Sequence, residues 1–279
     1  MRLLDWQKRG YQALSRRRSG NSKRVVFIFG CQRSGTTLLL DVFKEDLRTA
    51  IFPEQSELSR PVGGRLRLKP VSEIRARIDE LRVPLVVLKP IVESQNAPWL
   101  LEGLPGASAI WMYRGYESVA ASDLELFGLG NGIRNLSLLL SNDPPNWRAD
   151  VVPETTRRVL MNFFRPDMPP YDAAALFWWA RNSLFFDVGL DERHDVLLCR
   201  YERLVSDPEE TMRSVYRWIG VEWPTRSIIK RVHGDARGRV DSLPISSEVR
   251  EVCEQLARRL DESFGAQRAA RSSAGSTAT

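Results

Sequence analysis

The residues Gly30-Cys31-Gln32-Arg33-Ser34-Gly35-Thr36-Thr37 carry the clearest chemistry in this 279-residue chain. They follow an apolar run, Val25 to Phe29, and lead into Leu38-Leu39-Leu40. Glycines at both ends let successive backbone N–H groups converge on one point, and a helix starting near Thr36 adds unpaired amides and the positive end of its dipole. Arg33 places a full positive charge inside the loop. Such a turn binds a phosphate or a sulfate. The Gly30-x4-Gly35 spacing fits a triphosphate-binding loop up to its second glycine, but lysine and then serine or threonine should follow. Here Thr36 and Thr37 follow, so the triphosphate lysine is missing.

Four further residues, Lys89, Arg114, Ser122 and Tyr201, stand at or after the ends of apolar runs. Ala109-Ile110-Trp111-Met112-Tyr113 is an apolar run closing on Arg114, and Ser122 lies eight residues further on in a helix-like segment. A planar guanidinium grips two oxygens of a phosphate and a hydroxyl donates to a third. Val86-Val87-Leu88 closes on Lys89, which lies 25 residues before Arg114. Val196 to Arg200 closes on Tyr201, followed by Asp207-Pro208-Glu209-Glu210, where Ser206 or Asp207 would cap a helix with Pro208 at its first position.

This ordered set resembles the sulfotransferases that use 3′-phosphoadenosine 5′-phosphosulfate (PAPS), over roughly residues 25 to 264. It looks like a bacterial type, closer to the carbohydrate and tyrosyl-protein branches than to the cytosolic branch with a histidine base. The resemblance implies that Gln32, Arg33, Ser34, Gly35, Thr36 and Thr37 hold the 5′-phosphosulfate. Arg114 and Ser122 would clamp the 3′-phosphate, and Tyr201 would approach the adenosine side. Lys89 matches a cation near the bridging oxygen, although the Lys-x-Pro step is shortened here to Lys89-Pro90. Many bacterial members carry Gly-Arg-Trp where this chain has Gly238-Arg239-Val240, so Arg239 is carried over as a phosphate contact. Neither His194 nor His233 stands where the cytosolic branch keeps its base. Glu54, 21 residues after Arg33, matches the tyrosyl-protein glutamate, with Glu57 in reserve. The implied reaction moves a sulfuryl group from PAPS to a hydroxyl or amine of a small-molecule or carbohydrate acceptor and releases adenosine 3′,5′-bisphosphate (PAP), with no metal. The alternatives are a kinase-like phosphotransferase and a non-catalytic PAP-binding protein.

These residues need a scaffold that brings loops together. Strand-like runs at Val25–Phe29, Leu85–Leu88, Ala109–Tyr113 and Asp195–Arg200 each precede a motif, with helical stretches between. The fold class expected is α/β, a P-loop-type parallel sheet flanked by helices in one domain, with ligands at the carboxyl ends of the strands. The expected divisions are a basic leader (1–24), a sulfotransferase domain (25–265) and a disordered tail (266–279). Tyr171 to Val188 reads as a core helix with Phe177, Trp178, Trp179, Phe185 and Phe186 at helical spacing, the alternative being that some of these aromatics line an acceptor cleft. Leu126 to Phe164 reads as an irregular excursion.

The net charge of +6 is concentrated at the start, where eight Lys and Arg against Asp5 leave the remainder close to neutral. A near-neutral body argues against nucleic-acid binding. The leader reads as a solubilising segment or a surface helix touching anionic lipid. No apolar run is long enough to span a membrane, and Cys31, Cys199 and Cys253 form no disulfide framework. Together these point to a cytoplasmic protein.

Overall fold

Strand β1 (Arg24–Gly30) is buried from Val26 onward, as a strand covered on both faces must be. The computed structural model describes residues 8, 23–62, 65–141, 151–224, 227–230, 232 and 243–276. Beside β1 lies β5 (Leu85–Leu88), and β2 (Thr49–Phe52) pairs with the far side of β5. Both pairings are parallel and align Phe27 with Leu88 and Phe52 with Leu88, so β2 and β5 end level while β1 runs on to Gly30. With β6 (Ala107–Tyr113) and β7 (Val196–Arg200) they form a five-stranded sheet in the order β2-β5-β1-β6-β7. β3 (Ser59–Val62) and β4 (Arg65–Leu68) form a separate antiparallel hairpin.

Helices occupy most of the remaining described chain. They are α1 (Thr36–Glu45), α2 (Val71–Glu80), α3 (Ala97–Gly103) and α4 (Tyr116–Phe127). Then come α5 (Asn131–Leu140), α6 (Glu154–Phe163), α7 (Pro170–Asp187), α8 (Tyr201–Ser206), α9 (Pro208–Ile219) and α10 (Ser247–Ser276). A 3₁₀ turn spans Ile91–Asn96. The expected class, a largely parallel α/β sheet with flanking helices, is what the chain adopts.

The expected single domain is divided internally into two compact units, each assembled from separate stretches of chain. The first comprises Met1–Phe29, Gly35–Ile110 and Glu202–Ala236. In its core Phe43 stacks on Tyr216, whose hydroxyl donates to the buried carboxylate of Asp46 at 3.0 Å. The second comprises Gly30–Ser34, Trp111–Tyr201 and Arg237–Thr279. Its centre is α7, buried on nearly every side, with Trp178 and Phe185 among the most enclosed side chains.

Several sequence expectations need correction. The excursion at Leu126 to Phe164 is mostly helical, because α4, α5 and α6 occupy its described part; residues 142–150 lie outside the described residues. The tail expected over 266–279 is helical as far as Ser276, the end of α10, and residues 277–279 lie outside the described residues. Gln267 explains this: its amide accepts from Leu198 N–H at 2.9 Å and donates to Val196 C=O at 3.2 Å, fastening the helix to β7. Asp207 stands at the head of α9, yet its side chain makes no cap and pairs with Arg203 at 3.0 Å. The leader, apart from Lys8, Lys23 and Arg24, lies outside the described residues. No helix among the described residues is long and apolar enough to cross a membrane.

Candidate active site

Between β1 and α1 the chain makes a turn that only certain residues permit. At Gly30, with φ of 133°, an added Cβ would lie 2.2 Å from the Met112 carbonyl oxygen. Gly35, at φ of 87°, begins α1 in the left-handed region with no side chain capping the helix. Arg33 also has a positive φ, 64°, which costs a non-glycine residue about 1 kcal/mol or more and signals a functional constraint. Left-handed residues on either side of Ser34 turn the intervening amides inward, the geometry of an anion nest. Ser34 is fully buried, and its hydroxyl has no partner among the described residues. A buried hydroxyl without a partner is costly unless a ligand completes it. The loop therefore fits a phosphate or sulfate oxygen. Burial pushes the neighbouring Cys31 thiol up to about 12, with Asp123 adding and Arg181 opposing, so Cys31 supplies backbone and no thiolate.

Within the second unit the loop meets α4. Arg33 Nε donates to Ser122 Oγ at 3.0 Å, and Arg114 Nη1 lies 3.5 Å from the Arg33 carbonyl oxygen. The Arg114 guanidinium sits 4.4 Å above the centre of the Tyr201 ring. Trp178 Nε1 donates to the Arg114 carbonyl at 2.9 Å, which holds the turn that launches this arginine. Glu117, the acid expected to neutralise Arg114 if it served only as a surface ion pair, is engaged by Arg250 at 2.6 Å. Neither Arg33 nor Arg114 has a carboxylate partner among the described residues. Two guanidinium-bearing side chains, a hydroxyl and an aromatic face thus gather without a balancing anion. Such a cluster favours a dianionic guest.

Asp123, on α4, fastens the loop to that helix. It is buried and accepts from Gln32 Nε2 at 2.6 Å and from Asn131 Nδ2 at 2.7 Å. Sequence reading placed Gln32 in the loop but missed Asp123 and Asn131, and gave Trp178 to core packing or an acceptor cleft rather than to the Arg114 turn. No spacing marks Asp123; its role comes from the packing of α4 against the loop.

In the first unit the other candidates meet. Lys89 Nζ lies 3.4 Å from Glu54 Oε2, with the lysine side chain 8% exposed and the glutamate 26%. The Lys89 backbone continues the sheet by donating to Phe52 C=O at 2.8 Å, which brings the end of β5 beside the Glu54 loop. Ser59 Oγ donates to the Glu54 carbonyl and steadies that loop. Glu57, the reserve candidate, instead faces Arg77 at 2.8 Å and is exposed. Thr36 is buried and Thr37 exposed at the start of α1.

Every strand of the five-stranded sheet is followed by a sequence-selected residue. β2 precedes Glu54, β5 precedes Lys89, β1 precedes the Gln32–Thr37 loop, β6 precedes Arg114 and β7 precedes Tyr201. Arg239 and His233 lie outside the described residues, and His194 is on an exposed turn. Among the described residues no cluster of three or more His, Cys, Asp or Glu is placed to hold a metal ion.

No family model matches the chain, and no curated protein matches it. Solved structures that resemble it include sulfotransferases. The sulfotransferase domain of the Synechococcus PCC 7002 olefin synthase is 17% identical with a TM-score of 0.49, the match covering 85% of this chain and 95% of that one. A sulfotransferase from Alicyclobacillus acidocaldarius is 16% identical at 0.48, covering 88% and 96%. The sulfotransferase domain of the curacin biosynthetic pathway is 15% identical at 0.48, covering 85% and 99%. At these scores and identities the likenesses say nothing of what this chain binds or transfers.

Proposed function

We propose that this chain is a PAPS-dependent sulfotransferase that moves a sulfuryl group to a hydroxyl or amine of an acceptor and releases PAP. The observation that carries the reading is the meeting of Arg33 with Ser122 and of Arg114 with Tyr201, a cationic cluster without a carboxylate partner beside an anion loop. Arg114 and Ser122 hold the 3′-phosphate, the group that distinguishes PAPS from ATP. The Tyr201 ring flanks the adenosine. Ser34 Oγ and the amides around Gly35 and Thr36 take the 5′-phosphate, with Thr37 and Gln32 completing the loop. Arg239 is a further phosphate contact from the sequence resemblance.

Bound PAPS supplies the sulfuryl group and a phosphate leaving group. Glu54 takes the acceptor proton as the acceptor oxygen or nitrogen bonds to sulfur and the bond from sulfur to the phosphate oxygen breaks. The released electron pair stays on that phosphate oxygen. Lys89 and Arg33 stabilise the charge gathering there, the chief demand of a loose transfer transition state. The Glu54–Lys89 pair keeps base and cation together before the acceptor enters.

A triphosphate-dependent kinase is disfavoured because Thr36 stands where its loop lysine is required. The reading includes a cytoplasmic location, an expectation carried over from the sequence. Incubation with radiosulfur-labelled PAPS and a panel of hydroxyl and amine acceptors tests it. Labelled acceptor forming with equimolar PAP supports the proposal; PAP binding with no transfer to any acceptor, or to water, favours the non-catalytic alternative.

A further inference from the structure

A second concave surface in the first unit lies outside the anion loop. It is a groove of about 220 Å³ between the β3–β4 hairpin, the Ile91–Asn96 turn and the start of α3. That equals roughly seven water volumes, the space of one sugar ring. Its walls are cationic. Arg60 and Arg67 are directly opposed across the hairpin, an arrangement of like charges that destabilises a strand pair unless an anion compensates. Glu93 compensates one of them. Buried at 4% exposure, it receives Arg67 Nε at 2.7 Å, Arg67 Nη2 at 3.1 Å, Leu68 N–H at 3.0 Å and Asn96 Nδ2 at 2.8 Å. Both its oxygens are thereby used. Arg60 and Lys69 remain with no side-chain hydrogen bond or ion pair among the described residues.

One end of the groove is formed by Trp99, whose side chain is 57% exposed. A tryptophan held in solvent beside uncompensated cations costs hydrophobic free energy that a bound ring would recover. The flat indole stacks on the apolar face of a pyranose, while Arg60 and Lys69 meet a carboxylate or sulfate on it. The groove is joined to the candidate base and cation by short pieces of chain. Ser59, the first residue of β3, donates to the Glu54 carbonyl, and the Ile91–Asn96 turn begins two residues after Lys89.

We infer that this groove is an acceptor subsite for an anionic saccharide, with Trp99 as the stacking platform and Arg60 and Lys69 as the charge readers. The inference rests on the proposed sulfuryl transfer for the meaning of "acceptor", but the binding it claims is measurable without turnover. Calorimetry of the full chain uses a uronate-bearing tetrasaccharide, a neutral tetrasaccharide of the same length and, separately, PAP. The uronate ligand is expected to bind about tenfold tighter than the neutral one, the scale of one or two charge-assisted hydrogen bonds. Trp99→Ala and the double variant Arg60→Ser, Lys69→Ser are each expected to weaken it about tenfold while PAP affinity is unchanged. Trp99 and Arg60 are exposed and Lys69 half-buried, and unchanged PAP affinity doubles as the control for folding. Equal binding of charged and neutral saccharides, wild-type affinity in both variants, or no saccharide binding in a protein that binds PAP overturns the subsite. Loss of PAP binding with saccharide binding retained overturns the sulfotransferase reading and leaves the groove as an anionic-saccharide site.

Discussion

Arg33 ties the loop to the expected 3′-phosphate clamp. The resemblance assigns it to the 5′-phosphosulfate, and its guanidinium donates to Ser122, a member of that clamp. Its left-handed backbone explains the reach, because φ of 64° turns the side chain out of the loop toward α4. If Arg114 reads the 3′-phosphate, Arg114→Ala should weaken PAP binding by about 10- to 100-fold, the loss of a charge-assisted bidentate contact, and leave AMP binding within twofold. Calorimetry with the two nucleotides checks this; equal losses for both would place Arg114 elsewhere. Glu54→Gln keeps the shape and a polar contact to Lys89 but removes the proton acceptor. Turnover should fall about 100-fold or more with PAP affinity preserved, whereas a purely structural Glu54 would lose stability in step with activity.

At the scale of elements, the sheet and its loops were legible because buried parallel strands read as continuous apolar runs, as Leu85–Leu88 does. β2 escaped notice because Thr49-Ala50-Ile51-Phe52 is short and flanked by charge. The hairpin escaped because Arg and Pro fill β3 and β4, composition that usually marks a loop. The candidate residues were readable from type and spacing, but the partners that aim them were not: Asp123, Asn131 and Trp178 act through contacts that exist only after packing. Two predictions belong here. Gly30→Ala drives a methyl into the Met112 carbonyl and should destabilise the fold by about 3 kcal/mol or more by chemical denaturation. Gln267→Ala removes both side-chain bonds to β7 and should cost about 1–2 kcal/mol, whereas a disordered tail would cost nothing.

The whole molecule carries its three cysteines buried, and this sets its response to alkali. Burial raises the Cys31 and Cys199 thiols from 9.0 to about 12 and raises Cys253 as well. Between those values the unfolded chain has released thiol protons that the folded chain still holds. Stability is therefore unaffected by these groups below about pH 9 and falls as pH rises from there toward 12. Denaturation midpoints at a series of alkaline pH values should decline accordingly, and a thiol reagent at neutral pH should label the protein only after unfolding. For the molecule as an enzyme, the account turns on recognition of a nucleotide with a phosphate on each side of its ribose. Titration of the full chain with PAP and, separately, ADP in magnesium-free buffer tests that most directly. Tight PAP binding with ADP weaker by about tenfold or more is the predicted result; equal affinity for the two, or no binding of either, would contradict it.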